Sequence, residues 1–474
     1  MSLKSSTIKG GLYLTTSNAL VHLISFVISI YLANVLLPED FGLIAIATTY
    51  IGLVDVLINI GLGSAIIYNT KASYHQVSTL YWLNYIWAIF VYFLIFITVP
   101  YVSQFYTLPE LTDIVRLASV SLIVAPIFTT HLKLKERNLK FAFISKIVIV
   151  STLISGIFSV YAAYLGFGVY SLVVRIISAA LIKALLFSLF SNWRPIFTFR
   201  VRETSKMIWY SFKVKLSQIF LYLERNVDYL ILGSFFSPVT IGYYSFAYNI
   251  MYTPVKRISY VFGDILFPAL SSIKDDKERA VSVLFKSIQL ISLVTFPGMT
   301  LIALNVDWII INFFTEKWIE AAPLIKILAF AGAFQSVSQP CGVIFKSLGK
   351  PEKLMYISLV RTLMIVVSII MGAWFNNILI VAKYILISKI LSFFLILHQI
   401  KQLVNYKISS LFLTLIGPSI NMVLLISLNH LIFEGFLELG LFKFIMTSII
   451  SFVIVIIFHK RLIVDIFSHI RNKF

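Results

Sequence analysis

Five ionisable side chains crowd one apolar stretch. Lys213, Lys215, Glu224, Arg225 and Asp228 all fall within residues 207–235. On a helix, Arg225 and Asp228 would sit three apart on adjacent turns and could pair. Glu224 and Asp228, four apart, are close enough for repulsion to hold one carboxyl protonated. Two readings stay open: a carboxylate linked to a proton or cation, or an Arg–Asp clamp that fixes the helix in register. Asp55 is the clearest lone acid in an apolar stretch. It is either an ion-coupling group or the partner of a lysine or arginine across a bundle. Asp55, Glu224 and Asp228 are therefore the ion-coupling candidates, and His22 reads first as a hydrogen-bonded core histidine.

Further cations interrupt other apolar stretches: Arg116, Arg175, Lys183, Lys256, Arg257, Arg361, Lys383 and Lys389. A central lysine or arginine facing lipid costs about 2.5–3.5 kcal/mol on insertion scales. Several would together match the whole net stability of a domain, about 5–15 kcal/mol. Each must face a wet cavity, pair structurally or snorkel to the interface. The candidates for a cationic, anion-binding cavity are Arg116, Arg175, Lys213, Arg225, Lys256 and Arg361. Bases outnumber acids within these stretches, which favours an anionic ligand.

Nothing resembles a catalytic constellation. Asp275 and Asp276 stand among Lys274, Lys277 and Glu278 as a solvated charge cluster, and the seven histidines are scattered. Cys341 is the single cysteine, so no internal disulfide or multi-thiolate metal site is expected. A Walker A sequence is absent, which argues against ATP drive within this polypeptide. No cofactor is expected either; the 15% aromatic content fits membrane-interface belts.

The elements that must position these charges are long and apolar. With 59% hydrophobic and 12% charged residues, the chain is far from the roughly 25% charged residues of soluble domains. A spanning helix needs about 20 apolar residues. Fourteen stretches qualify, at 11–36, 41–68, 79–100, 111–132, 142–164, 168–190, 207–235, 240–270, 283–305, 320–345, 353–375, 378–399, 409–433 and 440–459. The fold class is thus an all-α integral membrane protein. Its connections are too short for an independent soluble core, which excludes most membrane-anchored glycosyltransferases. The first stretch is too long for a signal peptide and lacks a clear cleavage site, so it is expected to be a retained helix.

Alternating the loops across a membrane sorts the basic residues. Lys133, Lys135, Arg137, Lys140, Arg194, Arg200 and Arg202 share one side with Lys346, Lys350 and Lys353. The other side holds Lys317, with Lys443 near a helix end, against Glu39, Asp40, Glu110, Asp113, Asp307, Glu316 and Glu320. Lysine and arginine excess marks the cytoplasmic side, so both termini are expected there. Much of the net charge of +19 is this bias and attraction to anionic membrane lipids; it is no sign of nucleic-acid binding.

One phrase occurs twice, two hundred positions apart. Leu37-Pro38-Glu39-Asp40-Phe41-Gly42 returns as Ser237-Pro238-Val239-Thr240-Ile241-Gly242, each between apolar stretches of matching length. Such repeats mark duplicated bundles in transporters. Helical phase gives each copy a polar stripe: Asn18, His22, Ser25 and Ser29 in the first stretch, Thr48, Gly52, Asp55 and Asn59 in the second. The first stripe, shifted by two hundred, becomes Gln218, Tyr222, Arg225 and Tyr229. If the repeat holds in space, Arg225 looks into the region lined by the polar face of the first stretch.

The run Ala33-Asn34, Leu36-Leu37-Pro38-Glu39-Asp40-Phe41-Gly42 resembles the opening of Wzx-type polysaccharide (oligosaccharide-lipid) flippases. A stronger match is Glu224-Arg225-Asn226, Asp228-Tyr229, Ile231-Leu232-Gly233, then Ile241-Gly242-Tyr243-Tyr244, Pro254 and Phe267-Pro268-Ala269-Leu270. The resemblance, from residue 10 to about 400, implies two pseudo-symmetric six-helix lobes in a V around a central cavity, plus a C-terminal helix pair. The corresponding domains are 1–200, 201–405 and 406–474. It further implies flipping of an undecaprenyl-diphosphate-linked oligosaccharide across the bacterial inner membrane for surface polysaccharide synthesis. The partners would be that lipid-linked sugar, membrane lipids, and a polysaccharide polymerase with its chain-length regulator. A drug/cation antiporter of the same superfamily is the alternative, and it should favour acidic cavity residues. A polymerase or ligase would need a sizeable outer loop, and these loops are short.

Overall fold

A computed structural model describes residues 3–58, 66, 69, 72–273, 275–404, 406, 408–433, 442–451 and 453–454. The chain is all-α, with no strand among the described residues. Its helices are α1 (Leu3–Val35), α2 (Pro38–Ile58), α3 (Tyr74–Phe105), α4 (Leu111–Arg137), α5 (Phe141–Tyr164), α6 (Tyr170–Phe190) and α7 (Val201–Leu232). They continue as α8 (Pro238–Ser272), α9 (Lys277–Phe313), α10 (Ala322–Ser347), α11 (Pro351–Trp374), α12 (Ile378–Leu403) and α13 (Ile408–Leu428). A short apolar helix, α14 (Phe442–Ser451), follows. Among the described residues, nine helices are long and apolar enough to cross a membrane. This is a multi-pass membrane protein.

Local chemistry sets the helix starts. Asp40 accepts a hydrogen bond from the Leu37 amide at 2.8 Å, closing the turn before α2. Ser73 and Gln76 form a reciprocal capping box at α3, and Asp276 accepts from the Arg279 amide at the start of α9. That cap carries α9 six residues earlier than its apolar core suggests, through the polar turn Lys277–Arg279. Likewise α7 starts at Val201 rather than 207, because the polar residues from Arg202 to Lys206 are helical as well.

Packing divides the chain into two compact units, Met1–Gly242 and Tyr243–Phe474. The first unit extends past residue 200 because α7 packs on α2 and α3. Neighbours in sequence pair as hairpins: α3 with α4, α5 with α6, α9 with α10, and α11 with α12. α10 is the most enclosed span; Ala329, Ala331, Ala333 and Ser336 are all buried and admit close neighbours. By contrast, α3, α5, α6 and α11 expose rows of Leu, Ile, Phe and Val, as lipid-facing helices must.

Between α6 and α7 the chain runs along the first turns of α3, and the side chains of α3 satisfy its backbone. Trp82 donates to the Ile196 carbonyl at 3.0 Å, and Ser78 accepts from the Ile196 amide at 3.3 Å. Thr79 donates to the Thr198 carbonyl and accepts from the Arg200 amide. This connection carries Arg194, Arg200 and Arg202.

Candidate functional site

The polar stripes of α2 and α7 meet. Tyr222 on α7 donates its hydroxyl to the Thr49 carbonyl on α2 at 2.8 Å. Gly52, one turn further along α2, makes that approach possible: a Cβ there would overlap the Tyr222 hydroxyl. The phenol lies within electrostatic reach of both Asp55 and Asp228. Asp55 is half-buried, whereas Asp228 is 5% exposed and accepts from the Tyr229 amide at 3.1 Å. Two of the three expected ion-coupling carboxylates thus flank one tyrosine. The side chain of Glu224 lies outside the described residues, as do those of Asn59 and Gln218 from the stripes.

The candidate cations are distributed rather than gathered. Arg116 on α4 lays its guanidinium 4.0 Å over the Phe96 ring of α3 and donates to the Phe96 carbonyl at 3.4 Å. Its Nε has no hydrogen-bond partner among the described residues. Such a cation–π seat is what a half-buried guanidinium finds on an aromatic-rich face. Arg175 is half-buried on α6, Arg225 is exposed on α7 and Lys256 is exposed on α8. In the second unit, Arg361 on α11 and Lys389 on α12 are 6% and 5% exposed. The Lys213 side chain lies outside the described residues. Cys341, fully enclosed on α10, donates to the Val337 carbonyl at 3.3 Å and has Arg361 as an electrostatic neighbour.

The repeated phrase holds a contact that spacing alone did not reveal. Pro38–Gly42 and Pro238–Gly242 are the first turns of α2 and α8, and they cross backbone against backbone. A Cβ on Gly42 would overlap the Pro238 carbonyl oxygen, and a Cβ on Gly242 would overlap that of Pro38. The same added atoms would reach within 3.0 Å of the Gly242 nitrogen and 3.2 Å of the Pro38 Cα, respectively. Only glycine tolerates this approach at both positions. The twin glycines of the repeat were the available signal; their mutual contact needed coordinates.

A family model described as a polysaccharide biosynthesis protein matches residues 31–323. The chain belongs to that family. The matched region contains the glycine crossing, Asp55, Tyr222 and Asp228, and stops short of Arg361 and Lys389. An uncharacterized membrane protein in the cps region of Klebsiella pneumoniae is 29% identical over 74% of this chain and 73% of its own. The lipopolysaccharide biosynthesis protein WzxC of Escherichia coli K12 is 23% identical over 78% and 76%. Among solved structures, the lipid II flippase MurJ in an inward closed conformation superposes with a TM-score of 0.77. That match covers 95% of this chain and 100% of MurJ at 13% identity, which establishes a shared fold.

Proposed function

We propose that this protein moves an undecaprenyl-diphosphate-linked oligosaccharide across the bacterial inner membrane, from the cytoplasmic to the outer leaflet, by alternating access. The observation that carries the reading is membership of a polysaccharide biosynthesis family on a fold shared along nearly the whole chain with a lipid II flippase. The sequence similarity to WzxC supports a surface polysaccharide as the destination of the sugar.

Both termini face the cytoplasm in this reading, because the basic loops share that side. Residues 1–200 and 201–405 are the two lobes, and 406–474 the added pair. Arg116, Arg175, Lys213, Arg225, Lys256 and Arg361 supply the positive charge that receives the diphosphate, with Arg and Lys side chains acting as its donors. Asp55, Glu224 and Asp228 couple the cycle to an ion gradient. A polysaccharide polymerase and its chain-length regulator act on the exported unit. The protein is a transporter in this reading and catalyses no bond change.

Deleting the gene should strand lipid-linked repeat units in the cytoplasmic leaflet while their synthesis continues. Normal polymer export in the deletion strain would rule the proposal out.

A further inference from the structure

We infer that the reciprocal glycine crossing is the outer seal of the transport path, closed in this structure, and that residues 38–42 and 238–242 must part in every cycle. The inference rests on the two-sided transport and orientation proposed above, which place the turns before α2 and α8 on the outer side. All the residues involved belong to the first unit.

Three ties, at successive positions, join the first repeat to the opening segment of the second. Outermost is the crossing itself, where two backbones touch with no side chain between them. Beside it, Tyr106, in the connection between α3 and α4, donates its hydroxyl to the Leu230 carbonyl at 2.8 Å. The Tyr106 ring lies against Gly233, where an added Cβ would come within 2.8 Å of Cε1. Further along α2 and α7, Tyr222 holds the Thr49 carbonyl at 2.8 Å.

The chemistry of these ties suits a seal that opens repeatedly. Each polar tie is a neutral hydroxyl on a carbonyl, an individually modest interaction that water can replace. The crossing leaves no room for an intervening molecule while closed. Because it is backbone on backbone, no rotamer change can relieve it, so it opens only when whole helices move. Packed interfaces of this kind switch between discrete states rather than deforming gradually. The repeat explains why both partners are glycine: each copy contributes the same turn, and each turn must accept the other.

A test uses the full-length protein in intact cells. Thr49→Cys, two turns along α2 from Gly42 and buried in this structure, reports on the region behind the seal, with the enclosed Cys341 as negative control. The probe is a membrane-impermeant maleimide added from outside. Gly42→Val and Gly242→Val, made singly, should each accelerate labelling roughly fivefold or more by shifting the population toward the outward-open state. Gly→Ala should do so less. Unchanged labelling in both valine variants, at normal membrane levels, would overturn the inference. Should the valine variants fail to accumulate, Tyr106→Phe removes one tie without adding bulk and should raise labelling about twofold; no change there counts equally against the seal. Labelling needs no knowledge of the cargo. Normal polymer export after gene deletion would therefore defeat the flippase reading while leaving this outcome separately readable.

Discussion

The α2–α7 contact and the α11–α12 pair bury charge in opposite ways. On α2 and α7, two carboxylates flank a tyrosine whose own tie is a single hydrogen bond past a glycine. On α11 and α12, Arg361 and Lys389 are more than nine-tenths enclosed among buried Ser358, Ser388 and Ser392. Neither of those helices carries an acid beyond Glu352 in the first turn of α11. One arrangement depends on small residues and hydroxyls, which can separate and rehydrate. The other is set in dense packing, where a charge cannot lose its surroundings without a large penalty. The lesson is that charge within a membrane span does not by itself mark a transport residue; the ease with which its neighbours can leave does.

The sharpest way to break this comparison is Arg361→Ala. Removing a buried cation strands whatever solvates it, so a loss of about 3–5 kcal/mol is expected. Thermal unfolding of the detergent-purified protein measures it. An unchanged midpoint with transport abolished would instead return Arg361 to the cargo site. Next in size is Gly52→Ala, whose methyl would push the Tyr222 hydroxyl off the Thr49 carbonyl. Overpacking plus the lost hydrogen bond predicts a destabilisation of roughly 1–3 kcal/mol. Adding Tyr222→Phe should recover part of it, since the two sites touch and must couple in a double-mutant cycle.

Much of the fold was legible because period and length leave few alternatives in a bilayer. The apolar stretches became helices, and the repeated turns became matching helix starts at Pro38 and Pro238. Helix ends were less legible: Lys277–Arg279 and Arg202–Lys206 are polar, so hydropathy stops where hydrogen bonding continues. For the site, phase alone identified Thr48, Gly52 and Asp55 as one face and Tyr222 and Arg225 as another. It could not say that the α2 stripe would meet Tyr222. Nor could it seat Arg116, whose partner Phe96 is twenty residues away on another helix. Contacts across a hairpin depend on how it is staggered, and composition does not carry that information.

Asp55→Asn and Arg225→Ala sharpen the comparison from the mobile side. Asp55 is only half-buried and asparagine keeps its shape, so stability should change by less than about 1 kcal/mol. Polymer export should nevertheless fall if the carboxylate couples an ion. For Arg225, exposed on α7, the expectation is impaired export with membrane insertion and unfolding midpoint preserved. Loss of folded protein in Arg225→Ala would identify it with a register clamp and move α7 into the same structural class as α11 and α12.

The smallest expected effect is Phe96→Leu, which keeps an apolar side chain on α3 but removes the ring beneath Arg116. A partly exposed cation–π contact is worth about 0.5–1 kcal/mol, so the unfolding midpoint should move by only a degree or two. Transport separates the alternatives. If Arg116 merely rests on the ring, export stays normal. If the ring aims the guanidinium at a diphosphate, the leucine variant should need more lipid-linked substrate to reach the same export rate, with the maximal rate retained. Such a split would make Arg116 a cargo-positioning residue, distinct from the buried cation on α11.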